Sequence, residues 1–191
     1  MSATKGPQRT RAALLAAAFT VIKHDGLNAL TLDAVAHTAG VSKGGLLYHF
    51  PSREALVTAM ISSPIEEFER ALVERLRAAG YDRTPGAWLR AYIEANMDVV
   101  EHGADQSAAL LAAVATRPDM LDPIREHTVA WQRRLEDDGL DPTLATIIRL
   151  AVDGLFMAEL LDLAPPDAAM RTRVVATLLD LTRGAAGAEP S

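Results

Sequence analysis

Lys43, Tyr48, His49 and Arg53 are the side chains whose types and spacing best suit chemistry in this sequence, and that chemistry is recognition. A lysine ammonium can reach a guanine edge or a phosphate. Tyr, His and Arg can donate to phosphate oxygens and fix register on a duplex. Gly44 and Gly45 lie between them. Each costs a helix roughly 1 kcal/mol against alanine. In exchange, a helix bare of side chains at that point can approach another surface closely.

The elements that must hold these groups are legible in residues 31–53, TLDAVAHTAGVSKGGLLYHFPSR. Thr31 suits an N-cap, with Leu30 and Val35 placed as a hydrophobic staple. Asp33 adds negative charge at the positive end of the helix dipole. Leu32, Val35, Ala36 and Ala39 have helical apolar spacing, and Gly40 suits the left-handed residue that ends a helix. Ser42 caps a second helix, with Val41 and Leu46 as its staple. Leu46 and Phe50, one turn apart, would anchor it and leave Lys43, Gly44, Leu47 and Tyr48 facing outward. Ser52 caps a third helix with Glu54 in its first turn. This is the spacing of a helix-turn-helix that lays one helix in the major groove. Short capped helices joined by glycine also occur in helical proteins that never touch DNA, so a helical protein-interaction module remains open as the alternative.

Charge favours the nucleic-acid reading. Residues 1–53 carry six basic and two acidic side chains, while the whole chain is −6, leaving −10 for residues 54–191. A basic head on an acidic body suits phosphate attraction at one end. At 191 residues with 49% hydrophobic content the chain can bury a substantial core and is not disordered in composition. It lacks the uninterrupted apolar run of about 18 residues that a membrane span requires. The polar opening residues followed by an Ala-rich amphipathic stretch do not read as a secretory signal. The absence of cysteine excludes disulfides and thiolate metal sites and suits a cytoplasmic setting. An enzyme reading finds no cysteine nucleophile, no HExxH and no P-loop. The five histidines, His24, His37, His49, His102 and His127, lack metal-ligand spacing. No cofactor is expected.

The stretch LLAAAFTVIKHDGLNALTLDAVAHTAGVS followed by SKGGLLYHFPSREAL resembles the tetracycline-repressor (TetR) family of transcriptional regulators, from about Arg11 to Leu56. The features that carry it are Ala17-Ala18, Gly26, Thr31, Ala36, Gly40-Val41-Ser42, Gly44, His49-Phe50 and Arg53-Glu54. The resemblance implies that Thr31 holds a phosphate at the start of the first motif helix. Ser42, Lys43, Gly44 and Gly45 would lie near bases and backbone, and Tyr48, His49 and Arg53 would contact the backbone. Position 45 often carries Thr or Ser in the family and position 47 Tyr; here Gly45 has no hydroxyl, and Leu47 would instead meet a thymine methyl.

The remainder reads as helix with clear punctuation and no strand signals, about nine helices in all. Residues 53–79 carry a helical apolar stripe from Leu56 to Leu76, with Pro64 predicting a kink or break and Gly80 a stop. Thr84-Pro85 and Asp141-Pro142 read as cap-plus-proline starts, and Asp167 as a cap after Pro165-Pro166. One helix is expected at about 105–116, another carries Leu121, Ile124, Thr128, Trp131 and Leu135 on one face, and Gly184 ends the last. The helix from Asp141 to Leu163 is apolar almost all round and so must be covered on most faces. Its small residues Ala151, Gly154 and Ala158, with Leu155, Val174 and Leu178, would pack against a second copy in a four-helix interface. Its alternative is the central core helix of a monomer.

The resemblance implies an all-α protein with an N-terminal helix-turn-helix domain over 1–53 and a ligand-binding and dimerisation domain over 54–185; the terminal residues 186–191 read as a disordered tail. Its expected partners are a palindromic double-stranded operator, a second copy of itself and a small-molecule effector, with no membrane. It implies a repressor whose effector lowers DNA affinity by altering the separation of the recognition helices. Trp88, Tyr92, Asn96, Met97 and His127 would line the effector pocket, with Trp131, Asp153, Phe156 and Met157. Each of these also suits an ordinary core or surface position, and Asp153 could simply pair with Arg149 one turn earlier.

Overall fold

A computed structural model of the chain describes residues 6–80, 84–98 and 121–184. Helices account for almost all of them, and no strand occurs among the described residues. Those up to Pro64, with residues 121–123, cluster as one compact unit; those from Ile65 to 98 and from Ile124 onward form a second.

In the first unit, helix α1 (Pro7–Asp25) starts on Pro7 and ends at Gly26, whose φ of 80° only glycine adopts without cost. A short 3₁₀ turn (Leu27–Ala29) leads to α2 (Leu32–Ala39), then α3 (Lys43–His49) and α4 (Arg53–Ala78). Thr31, Ser42 and Ser52 all cap as their positions foretell: their hydroxyls accept from the N–H of Ala34, Gly45 and Ala55, each at 3.1 Å. Gly40, at φ 64°, ends α2 in a Schellman turn in which the Val41 N–H donates to Ala36 O and the Gly40 N–H to His37 O. That turn fixes the angle between α2 and α3. Leu14, Leu30, Val35, Leu46 and Leu56 are wholly buried and tie the four helices into one core. Each contributes about 1.5–3 kcal/mol by burial.

Helix α4 runs unbroken through Pro64, so of the kink or break expected there, the break does not occur. Pro64 withholds one backbone donor from the ladder, and the apolar stripe on either side (Met60, Ile61, Ile65, Phe68) outweighs that loss. The proline lies at the boundary between the two units.

The second unit holds the rest of α4, helix α5 (residues 87–98 where described), α6 (Asp122–Glu136) from Ile124 onward, α7 (Pro142–Leu160) and α8 (Ala168–Gly184). Its core joins Phe68 and Leu72 of α4 to Leu89 and Ile93, Leu135, Ile148 and Val152, and Leu178. Thr84-Pro85 forms a turn rather than the start of α5. The cap comes from Asp138 instead, whose two carboxylate oxygens accept from the N–H of Trp88 (3.1 Å) and Leu89 (2.9 Å). Asp141 and Asp167 cap α7 and α8 as expected, through Leu144 N–H and Met170 N–H. The expected helix at 105–116, His102 and the tail 186–191 lie outside the described residues.

Candidate nucleic-acid interface

The sequence pattern of α3 sorts its side chains to opposite sides. Leu46 and Phe50 are buried, and the Arg11 guanidinium sits 5.6 Å from the Phe50 ring centroid, holding α1 on the same anchor. On the other side, Tyr48 is 79% exposed and Leu47 38%. A tyrosine so exposed does nothing for the core, and is available to a partner. Ser42, Lys43 and Gly44 are exposed with it; Gly45 and His49 are half-buried. The His49 ring meets Tyr48 edge to face at 5.1 Å. A Cβ at Gly44 would meet nothing within 4 Å, whereas one at Gly45 would press on the capping Ser42 Oγ at 3.3 Å. Space inside the chain therefore explains Gly45 in part and Gly44 not at all. Thr31 is exposed, and its hydroxyl, while accepting from Ala34, keeps its own proton to donate.

Two basic groups are engaged in ways their sequence positions do not reveal. Lys43 Nζ lies 2.9 Å from Asp33 Oδ1 and 3.0 Å from Oδ2, a pair that bridges α3 and α2. Arg53 Nε donates to Leu30 O at 2.8 Å and its Nη2 to Leu27 O at 3.5 Å. Arg53 thus fastens the start of α4 to the turn before α2, and only its remaining N–H groups are left for a phosphate. Neither pairing leaves a sequence signal, since each spans a turn between elements.

In the second unit, the expected effector residues form a packed aromatic cluster. Tyr92 stacks on Trp88 at 5.5 Å and meets Phe68 edge-on at 5.4 Å, while Phe68 also meets Trp131 at 4.9 Å and His127 lies 6.0 Å from Trp131. Trp88, Tyr92 and Asn96 are buried, and the Asn96 amide donates to Tyr92 O. Tyr92 Oη donates to Asp153 Oδ1 at 2.7 Å, Arg149 Nη1 to Asp153 Oδ2 at 2.6 Å, and Arg149 Nε to Gln132 Oε1 at 2.7 Å. Burial, then the Asp153 charge, holds the Tyr92 hydroxyl far above its ordinary pKa; burial also raises Asp153, against the Tyr92 hydrogen bond and the Arg149 charge. His127 Nδ1 lies 2.9 Å from Glu69. Met97, Phe156 and Asp153 are half-buried, and Met157 is exposed on α7.

The α7 face also differs in detail from expectation. Leu155 and Leu178 are buried in the chain's own core, so they do not offer surface to a second copy. Ala151 and Gly154 are exposed, and Ala158 and Val174 half-buried. The exposed apolar stripe is instead Ile147 (57%), Leu150 (55%), Met157 and Leu161, at helical spacing with Ala151 and Gly154 between them.

Comparison with known proteins decides the family. The description "Tetracyclin repressor-like, C-terminal domain" matches residues 86–183, and "Bacterial regulatory proteins, tetR family" matches residues 14–60. The chain belongs to the TetR family. That family is one of bacterial regulatory proteins, which favours the DNA-binding reading over the interaction module and over an enzyme. Among TetR-like relatives, the HTH-type transcriptional regulator RutR of Escherichia coli (strain K12) is 34% identical over 87 residues, 46% of this chain and 39% of RutR. The chain therefore matches well under half the length of that relative. A transcriptional regulator from Rhodococcus sp. Rha1 shares the fold with a TM-score of 0.66 at 23% identity, over 97% of this chain and 100% of that one. The multidrug binding protein EbrR, complexed with malachite green, has a TM-score of 0.61 at 22% identity, over 90% of this chain and 97% of its own.

As a TetR-family protein the chain is all-helical where described, with the helix-turn-helix at α2–α3. No described helix is long and apolar enough to cross a membrane, and no metal-ligating group of three or more His, Cys, Asp or Glu occurs among the described residues.

Proposed function

We propose that this regulator is a homodimeric repressor that reads a palindromic duplex through paired α3 helices and lets go when a small molecule enters its C-terminal portion. In this reading residues 1–53 form the DNA-binding domain and 54–185 the effector and dimerisation domain. Lys43 and Leu47 face base edges, while Thr31, Ser42, Tyr48, His49 and Arg53 hold the backbone. The observation that carries the proposal is the exposure of Tyr48 and Leu47 on a helix whose opposite side is anchored by Leu46 and Phe50. An exposed apolar stripe on α7 supports a second copy, because monomers rarely leave such a contiguous face in water. EbrR's complex with malachite green supports a small-molecule effector in a protein of the same fold.

Selection of bound sequences from a random duplex pool tests the reading. The expected result is a palindromic consensus with half-sites about one helical turn, 10–10.5 bp, apart. Recovery of no consensus at low salt contradicts it.

A further inference from the structure

We infer that Asp33 is a specificity-determining residue of the DNA interface: by chelating the Lys43 ammonium it keeps that cation from following phosphates, and so sets the ratio of sequence-selective to unselective binding. The inference rests on α3 being the helix that enters the groove.

Within residues 31–50 Lys43 is the sole lysine or arginine and Asp33 the sole carboxylate. Residues 31–50 are thus formally neutral apart from His37 and His49, although Arg53 follows them and the surrounding N-terminal region is basic. Affinity from counterion release scales with the number of phosphates neutralised, and it carries no sequence information. A neutral motif gains little from that source and depends on fit.

Geometry gives the same answer. Both Asp33 oxygens lie within 3.0 Å of Lys43 Nζ. An ammonium has three donors; one donates to Asp33 Oδ2, and the carboxylate charge holds the group beside α2 while the other donors can point at acceptors. Both side chains are largely exposed, at 60% and 68%, so the pair is weak in water and biases Lys43 rather than locking it. Without the tether, the flexible four-carbon stem would let the ammonium seek whichever phosphate is nearest. Of the nearby arginines, Arg11 lies over the Phe50 ring, and Arg53, fastened to the Leu27 and Leu30 carbonyls, keeps only its remaining N–H groups for the backbone.

The test compares wild type, Asp33→Asn, Asp33→Glu, Lys43→Ala and the Asp33→Asn/Lys43→Ala double variant. Each is titrated over a salt series on two probes, the consensus duplex that wild type selects from a random pool and poly(dI-dC). Thermal melts confirm folding. Asp33→Asn is expected to bind poly(dI-dC) about threefold more tightly and to steepen the log–log salt slope by about one. Its affinity for the consensus should rise less, so that the selectivity ratio falls. Asp33→Glu should keep the wild-type slope, and in the Lys43→Ala background the change at position 33 should leave the ratio unaltered. Equal tightening on both probes, an unchanged slope in Asp33→Asn, or a ratio that still falls without Lys43 overturns the inference. Failure of wild type to bind any duplex refutes the DNA reading itself, and this inference with it.

Discussion

Lys43 and Asp33 show how a residue's role is set by a neighbour that the sequence does not announce. Lys43 suits a base-reading role by its position just after the Ser42 cap, and the structure adds that its ammonium is shared with a carboxylate on the preceding helix. An exposed pair of this kind is worth about 0–1 kcal/mol, so opening it does not prevent DNA contact. Lys43→Ala is expected to weaken binding to the selected duplex by ~1–3 kcal/mol with no change in melting temperature. An unaltered isotherm would remove Lys43 from the interface. The caps at Thr31, Ser42 and Ser52 were legible because a capping hydroxyl acts on N–H groups only three residues away. The Arg53 clamp and the Asp153 bonds to Tyr92 and Arg149 differ in this respect. The Arg149 contact lies one turn away and could be read; the Leu30 and Tyr92 contacts join separate elements and could not.

At the scale of elements, α3 and α5 carry the sharpest consequences. Gly44 has open space around its missing Cβ, so Gly44→Ala should raise stability by up to about 1 kcal/mol through helix propensity alone. If the α3 backbone approaches the duplex there, the same variant binds DNA more weakly. Denaturant melts and duplex titrations run side by side check this, and gains in both would show that the backbone stays clear of DNA. For α5, burial pushes the Asp138 carboxyl up despite the Leu89 and Trp88 N–H bonds and the nearby arginine charges. The folded state therefore holds this proton more tightly than the unfolded chain does. Its contribution is fully present below the usual carboxylate value and is lost as pH rises through the raised folded value. Asp138→Asn should lack that component of the pH profile. It should also lose about 1 kcal/mol near neutrality, because an amide offers one acceptor where the carboxylate caps two N–H groups. Urea unfolding across the acid range checks both; identical profiles would refute the assignment. Helices were legible from periodicity and caps, while the Asp138 cap, contributed from far along the chain, was not. At Pro64 the kink-or-break expectation fails in its second form only, because apolar packing on both sides keeps the helix continuous.

For the whole molecule, the question is what covers α7. Its apolar character was plain in the sequence, but which side faces inward was not, because apolar residues lie on nearly all sides. Leu155 and Leu178 prove to be core, and Ile147, Leu150, Ala151, Gly154 and Met157 remain outward. A second copy packed on that face would explain them. A Cβ added at Gly154 would meet nothing within 4 Å, so Gly154→Glu should fold normally yet sediment as a monomer. A dimer surviving that charge would exclude this face. Hydroxyl-radical footprinting of the selected duplex reads out whether paired α3 helices grip DNA two-fold. Two protected patches centred about 10–10.5 bp apart are expected, both lost in Gly154→Glu at concentrations where wild type protects. A single patch, or protection that persists in the monomeric variant, would contradict the two-fold grip.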